Sequence, residues 1–224
     1  MKDFFNMLEI KILAAIKNEF SQIINKIKKE RIYAVALVAD IDYVALHLSV
    51  NTWEFLKKAD DEYGFTNGEN RNEIIKLLKG KLSDAEIERF KRLPFDTTKW
   101  LPDDWGYSDF DKNSEFVNIS KLLRSKNREL NLNSMQGYLE WQNMFVETTI
   151  SAFRKAIQGD YFGLNPEETT YFICIMDADE KGEEIMEISA KSLNTENIYR
   201  EFQNNFDCAD QELMSLVDNA LASL

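Results

Sequence analysis

Cysteine is scarce: Cys174 and Cys208 are the only two, and they do not form a C-x-x-C pair. Two thiols cannot build a disulfide framework, and free thiols fit a reducing compartment. Eight glycines and three prolines in 224 residues leave no flexible linker, which favours long helices over an all-β sandwich. Histidine occurs once, as His47. No H-x-x-x-H pair or Cys–His cluster can therefore form within one chain, which argues against a zinc hydrolase. The dispersed glycines supply no G-x-x-x-x-G-K-[ST], G-x-G-x-x-G or G-x-S-x-G pattern, so the familiar phosphate loops and nucleophile elbows are missing. No stretch approaches the ~18 apolar residues of a spanning helix. Glu9 and Lys11 interrupt the N-terminal apolar text before a secretory signal can grow. The expected location is cytoplasmic.

Apolar side chains are present in ordinary amount, at 44% hydrophobic and 29% charged, with 15 Phe, eight Tyr and four Trp. A chain of this length buries roughly 70% of its unfolded surface, so residues 1–224 are expected to form a single domain with its own core. The net charge of −12 is unevenly placed. Residues 1–158 hold 24 bases and 24 acids, whereas residues 159–224 hold 15 acids against Lys181, Lys191 and Arg200. The whole imbalance thus sits in the last third. Such a surface repels nucleic acid and anionic membrane, and attracts a basic protein partner. Its plainer reading is an acidic face that aids solubility.

Along the chain, Phe5, Leu8, Ile12, Ile16, Phe20, Ile23 and Ile27 recur every three or four residues, predicting one amphipathic helix over 4–29. Residues 31–39 are apolar on both alternate faces, as in a buried strand. Residues 43–50 alternate, with Val44, Leu46, Leu48 and Val50 on one face. The short link Asp40–Ile41–Asp42 predicts an antiparallel hairpin. Asn51 is the expected N-cap of a helix to about Glu62, with Glu54 three positions on. Short helices follow over 73–79 and 83–92, the second opened by the Ser83-x-x-Glu86 box. Two longer ones cover 114–128 and 134–158, the latter closed by Gly159. Thr170 to Met176 reads as a third strand, and helices over 183–193, 196–206 and 210–224 complete the chain. The expected class is α+β: a small, mainly antiparallel sheet of three or more strands surrounded by many helices.

Three places invite a functional reading. The turn Asp177-Ala178-Asp179-Glu180-Lys181-Gly182 has acids at the first and third positions of a calcium loop and glycine at the sixth, but Lys181 and Ile188 occupy positions five and twelve. A divalent ion held by Asp177, Asp179 and Glu183 or Glu184 stands beside a simple polar turn. His47 is either a hydrogen-bonded structural imidazole or a general base lacking, in sequence, its orienting carboxylate and nucleophile. The segment from Trp100 to Tyr107 packs two Trp and one Tyr into eight residues beside Asp103 and Asp104. It reads as a core plug, or as a recognition loop in which Trp100, Asp103, Asp104, Trp105 and Tyr107 contact a basic partner. Cys174 alternates with Phe172 and Met176, as an inert core thiol does.

The W-x-P-x-x-W-x-Y pattern of Trp100, Pro102, Trp105 and Tyr107 also resembles a bacterial family known as domain of unknown function 4303. So do the I-Y-A-x-A-L text at Ile32–Leu37, the strand end at Asn51-Thr52, and the S-x-x-x-L-N text of Ser189, Leu193 and Asn194. The resemblance spans about residues 5–206. It implies no assigned catalytic residues, and an association of some members with toxin–immunity neighbourhoods. Residue text and resemblance together favour an interaction protein, such as an immunity protein that binds a cationic toxin through an acidic surface. The alternative is an enzyme of unrecognised type using His47 or a carboxylate cluster. No cofactor is called for by either reading.

Overall fold

The computed structural model describes residues 1–27, 29–62, 69–92, 99–108, 114–130, 134–176, 180–206, 216–217 and 219–220. Its first helix, α1 (Lys2–Ile27), buries all seven residues of the apolar stripe. Strands β1 (Ile32–Ala39) and β2 (Leu46–Thr52) pair antiparallel, with Leu37 opposite Leu48. The alternating text begins at Tyr43, yet β2 begins at Leu46. Asp40 Oδ1 accepts the Val44 and Ala45 N–H groups at 2.7 and 2.9 Å, and Tyr43 takes a left-handed φ of 57°. A side chain that satisfies two backbone donors competes with the ladder and delays the strand. Trp141 Nε1 donates to the Tyr43 carbonyl at 3.2 Å and fixes the turn.

Helix α2 (Trp53–Glu62) follows β2 directly. Its cap is Thr52 rather than Asn51: Thr52 Oγ1 accepts from Phe55 N–H at 3.0 Å. Asn51 remains in the strand and donates to the Tyr33 hydroxyl at 2.9 Å. Helices α3 (Glu69–Leu78) and α4 (Asp84–Arg92) come next, α4 opened by the expected reciprocal Ser83–Glu86 box. After a single 3₁₀ turn at Pro102–Asp104, the two-residue strand β3 (Tyr107–Ser108) pairs antiparallel with β2. Helices α5 (Glu115–Leu130) and α6 (Met135–Gln158) precede β4 (Thr170–Ile175), and α7 (Glu180–Leu193) and α8 (Glu196–Phe206) follow it. Helix α7 starts at Glu180, earlier than the apolar periodicity alone indicates. Most of the expected terminal helix over 210–224 lies outside the described residues; 216–217 and 219–220 are helical.

The sheet order is β3-β2-β1-β4, with β4 parallel to β1 and the other two pairings antiparallel. The chain is therefore α+β with one mixed sheet. Alternate residues feed two cores. Val35, Leu37, Leu48, Val50 and Ile173 face α1, α5 and α6. On the other face, Tyr33, Ala36, Val38, Phe172 and Cys174 meet Trp100, Trp105, Leu56, Tyr199 and Phe202. A smaller cluster joins α3 and α4 to Val217 and Ala220. Because β4 is an edge strand, its outward N–H groups need other acceptors. Ser189 Oγ accepts from Ile173 N–H at 2.8 Å, and Asn194 Oδ1 from Tyr171 N–H at 2.8 Å, while Asn194 Nδ2 donates back to the Tyr171 carbonyl at 2.7 Å.

Candidate functional site

The second core opens to solvent at the start of β1 and β4, where a cleft of about 420 Å³ lies between the aromatic segment and α8. Its floor and one wall are aromatic. Tyr33 projects from β1, Trp53 from the first turn of α2, and Trp100 from the chain before the 3₁₀ turn. The Tyr33 and Trp53 rings lie 4.6 Å apart, and Trp100 meets Tyr33 edge-on at 6.0 Å. Trp53 is 37% exposed, so part of its indole is reachable from water. The Tyr33 hydroxyl accepts from Asn51 and donates to the Lys99 carbonyl at 3.0 Å, locking the phenol in place.

Three carboxylates line the same cleft. Glu167 and Glu168 lie on the turn before β4, and Glu201 on α8. Asn165 holds that turn, its Oδ1 accepting Glu167 N–H at 3.1 Å and its carbonyl accepting Glu168 N–H at 3.0 Å. Thr170 and Ile198 also line it. Two cations complete the lining. Arg31 is matched by Glu54, whose carboxylate accepts the Arg31 backbone N–H at 2.8 Å and its Nε at 3.0 Å. The backbone N–H, helped by the guanidinium, holds the Glu54 carboxyl below the usual carboxylate range. Lys99 is 5% exposed, and its ammonium lies 4.9 Å from the Trp53 ring centre and 5.1 Å from that of Trp100. Contacts of this kind contribute about 0.5–2 kcal/mol each. The Trp100 indole N–H is buried with no acceptor among the described residues, which costs about 1–3 kcal/mol.

Of the five residues that the sequence marks for partner binding, only Trp100 lines this cleft. Trp105 is 4% exposed, packed edge-on against Phe172 at 5.6 Å, and donates from Nε1 to the Lys99 carbonyl at 3.2 Å. Tyr107 faces Glu30; burial, then the bond to that carboxylate, pushes its hydroxyl up to about 12. Between them, a Cβ on Gly106 would lie 2.4 Å from Phe55 Cδ2, so α2 packs where only glycine fits. Asp103 and Asp104 are exposed on the 3₁₀ turn, away from the cleft lining. The sequence shows Tyr33 only as family-like strand text and Glu167, Glu168 and Glu201 only as part of the acidic last third, and it does not mark Trp53 or Lys99; the fold brings the six together.

Of the metal candidates, Asp177 and Asp179 lie outside the described residues, and Glu183 is exposed on α7. Among the described residues no group of three or more His, Cys, Asp or Glu side chains is placed to hold a metal ion. His47 is 8% exposed on β2, paired across the ladder with Val38. The Cys174 thiol is pushed up to about 12 by burial and by nearby Asp103. No helix among the described residues is long and apolar enough to cross a membrane.

The model of a family described as a domain of unknown function, DUF4303, matches residues 12–195. The chain belongs to the DUF4303 family. Neither the curated proteins nor the solved structures contain a match to it. The geometry gives the family-like text of this DUF4303 chain a structural account. Ser189 and Asn194 satisfy the outer edge of β4. Trp105 is a core plug tied to Lys99, and Trp100 is both core and cleft wall.

Proposed function

We propose that the protein is a binding module that receives a cationic segment of a basic protein in the cleft between Trp53, Trp100 and the Glu167, Glu168 and Glu201 rim. The observation that carries this reading is a convergence. The rim carboxylates belong to the acidic last third of the chain, and the aromatic wall belongs to its charge-balanced part. An arginine or lysine side chain entering there meets both the carboxylates and the exposed part of the Trp53 indole. Acidic charge steers such a partner in, and desolvated aromatic contacts slow its departure. A peptide also brings carbonyl oxygens, acceptors of the kind that the Trp100 N–H lacks among the described residues. The mode of action is occlusion: the partner's basic surface is covered, with no bond made or broken. In its specific form this is a cytoplasmic immunity protein that neutralises a cationic toxin.

Calorimetric titration with a short arginine–serine peptide tests the reading. The wild type should bind, and Trp53→Ala and the double change Glu168→Gln/Glu201→Gln should each weaken binding about tenfold, as hot-spot losses above 1 kcal/mol do. Absence of binding by the wild type at millimolar peptide, or equal binding by all three proteins, contradicts it.

A further inference from the structure

We propose that Lys99 is a tethered occupant of the cation site, a side chain that a partner's arginine displaces on binding. This rests on the binding reading above and adds an internal competitor to it. The cleft already holds a cation: the Lys99 ammonium sits 4.9 and 5.1 Å from the Trp53 and Trp100 ring centres. The backbone beneath it is fixed, because the Lys99 carbonyl accepts from the Tyr33 hydroxyl at 3.0 Å and from Trp105 Nε1 at 3.2 Å. The ammonium can therefore leave the rings by rotation of a flexible four-carbon stem, with no movement of the main chain. Lys99 itself is 5% exposed, while Trp53, at 37%, keeps part of the cleft open to solvent.

The occupant that fits is an arginine side chain of a basic protein. A guanidinium is planar, is less strongly hydrated than an ammonium, and stacks on an indole face while its N–H fork reaches carboxylates. Glu168 and Glu201 are among the residues that line the same cleft. Lysine holds the site in the free protein, and arginine outcompetes it. The apparent affinity is then lowered by the fraction of molecules in which Lys99 is seated.

Lys99→Met removes the competing charge and keeps an unbranched side chain of similar length. The apparent Kd for the arginine–serine peptide should fall about tenfold, equivalent to about 1.4 kcal/mol. The gain should hold at about 0.5 M salt as at about 0.1 M, whereas loss of one repelling charge alone is screened away. An unchanged or weaker affinity, or a gain confined to low salt, overturns the proposal. In the wild type, the two indoles should shift the Lys99 ε-methylene protons upfield in the NMR spectrum, and saturating peptide should return them to their ordinary position. Protons that stay upfield in the saturated complex overturn it, whether or not the Met variant folds. If neither protein binds the peptide, the binding reading falls and takes this one with it. If the wild type binds with Lys99 unmoved, only the displacement falls.

Discussion

Trp53 and Trp105 have the same side chain and opposite duties. Trp105 is 4% exposed, with rings on its edge and its N–H committed to a backbone carbonyl. Trp105→Ala should therefore destabilise the fold by about 3–5 kcal/mol, the range for truncating a buried aromatic, measured by denaturant unfolding. Trp53→Ala removes a part-exposed ring with its Tyr33 and Lys99 contacts, so it should cost less, about 1–2 kcal/mol, while weakening peptide binding. Cys174 gives a second contrast. With its thiol pushed up to about 12, it should resist iodoacetamide at pH 8 in the folded protein and react once the chain is unfolded, as peptide mapping by mass spectrometry will show. That it is a core thiol was legible from its place between Phe172 and Met176. Which indole faces outward was not legible. The W-x-P-x-x-W spacing marks an unusual segment, but the face that each ring presents is set by Phe172, Tyr33 and α2, which lie far away in sequence.

At the level of elements, the edge of β4 is the informative place. Asn194 pairs with both backbone groups of Tyr171, and Ser189 takes the Ile173 N–H. Asn194→Ala should cost about 1–3 kcal/mol, because buried backbone groups lose their partners. It should also raise self-association, since an uncovered edge can pair with another chain; thermal unfolding and light scattering measure the two effects. Helices α1 and α6 are clamped by Glu9, which accepts from Ser151 Oγ and pairs with Lys155 Nζ at 2.9 Å. The hydroxyl bond first, and the lysine second, hold the Glu9 carboxyl below its ordinary range. Its folded pKa lies below its unfolded one, so its contribution is complete above about pH 4.3 and is lost as pH falls through the folded value. Glu9→Gln should lower stability by about 1 kcal/mol at pH 7 and by less at pH 3, making the acid limb of a stability–pH curve shallower. Helix α1 was legible because seven apolar residues keep one period over its whole length. The parallel pairing of β4 with β1 was not, because a connection through five intervening α-helices leaves no local mark. Nor was β3, whose two residues are too few for an alternation.

For the molecule as a whole, the decisive property is where its charge falls relative to its aromatic wall. The composition alone placed the full −12 in residues 159–224. The sheet order then sets the turn before β4 and helix α8 near the start of β1 and the end of β2, so that Glu167, Glu168 and Glu201 come to line one cleft with Trp53 and Trp100. Strand order is a global property, which is why the site was invisible in a sequence that showed both of its halves. Binding of a basic peptide should weaken several-fold between about 0.1 and 1 M salt as the Debye length falls from about 10 to 3 Å, and should persist in part through the aromatic contacts. The most direct test of the central claim is an NMR titration of the ¹⁵N-labelled protein with the arginine–serine peptide. The account predicts that the largest shifts fall on the Trp53 and Trp100 indole N–H signals and on the amides of Lys99, Glu168 and Thr170. Shifts spread over the acidic surface without moving those indoles, or no shifts at all, contradict it.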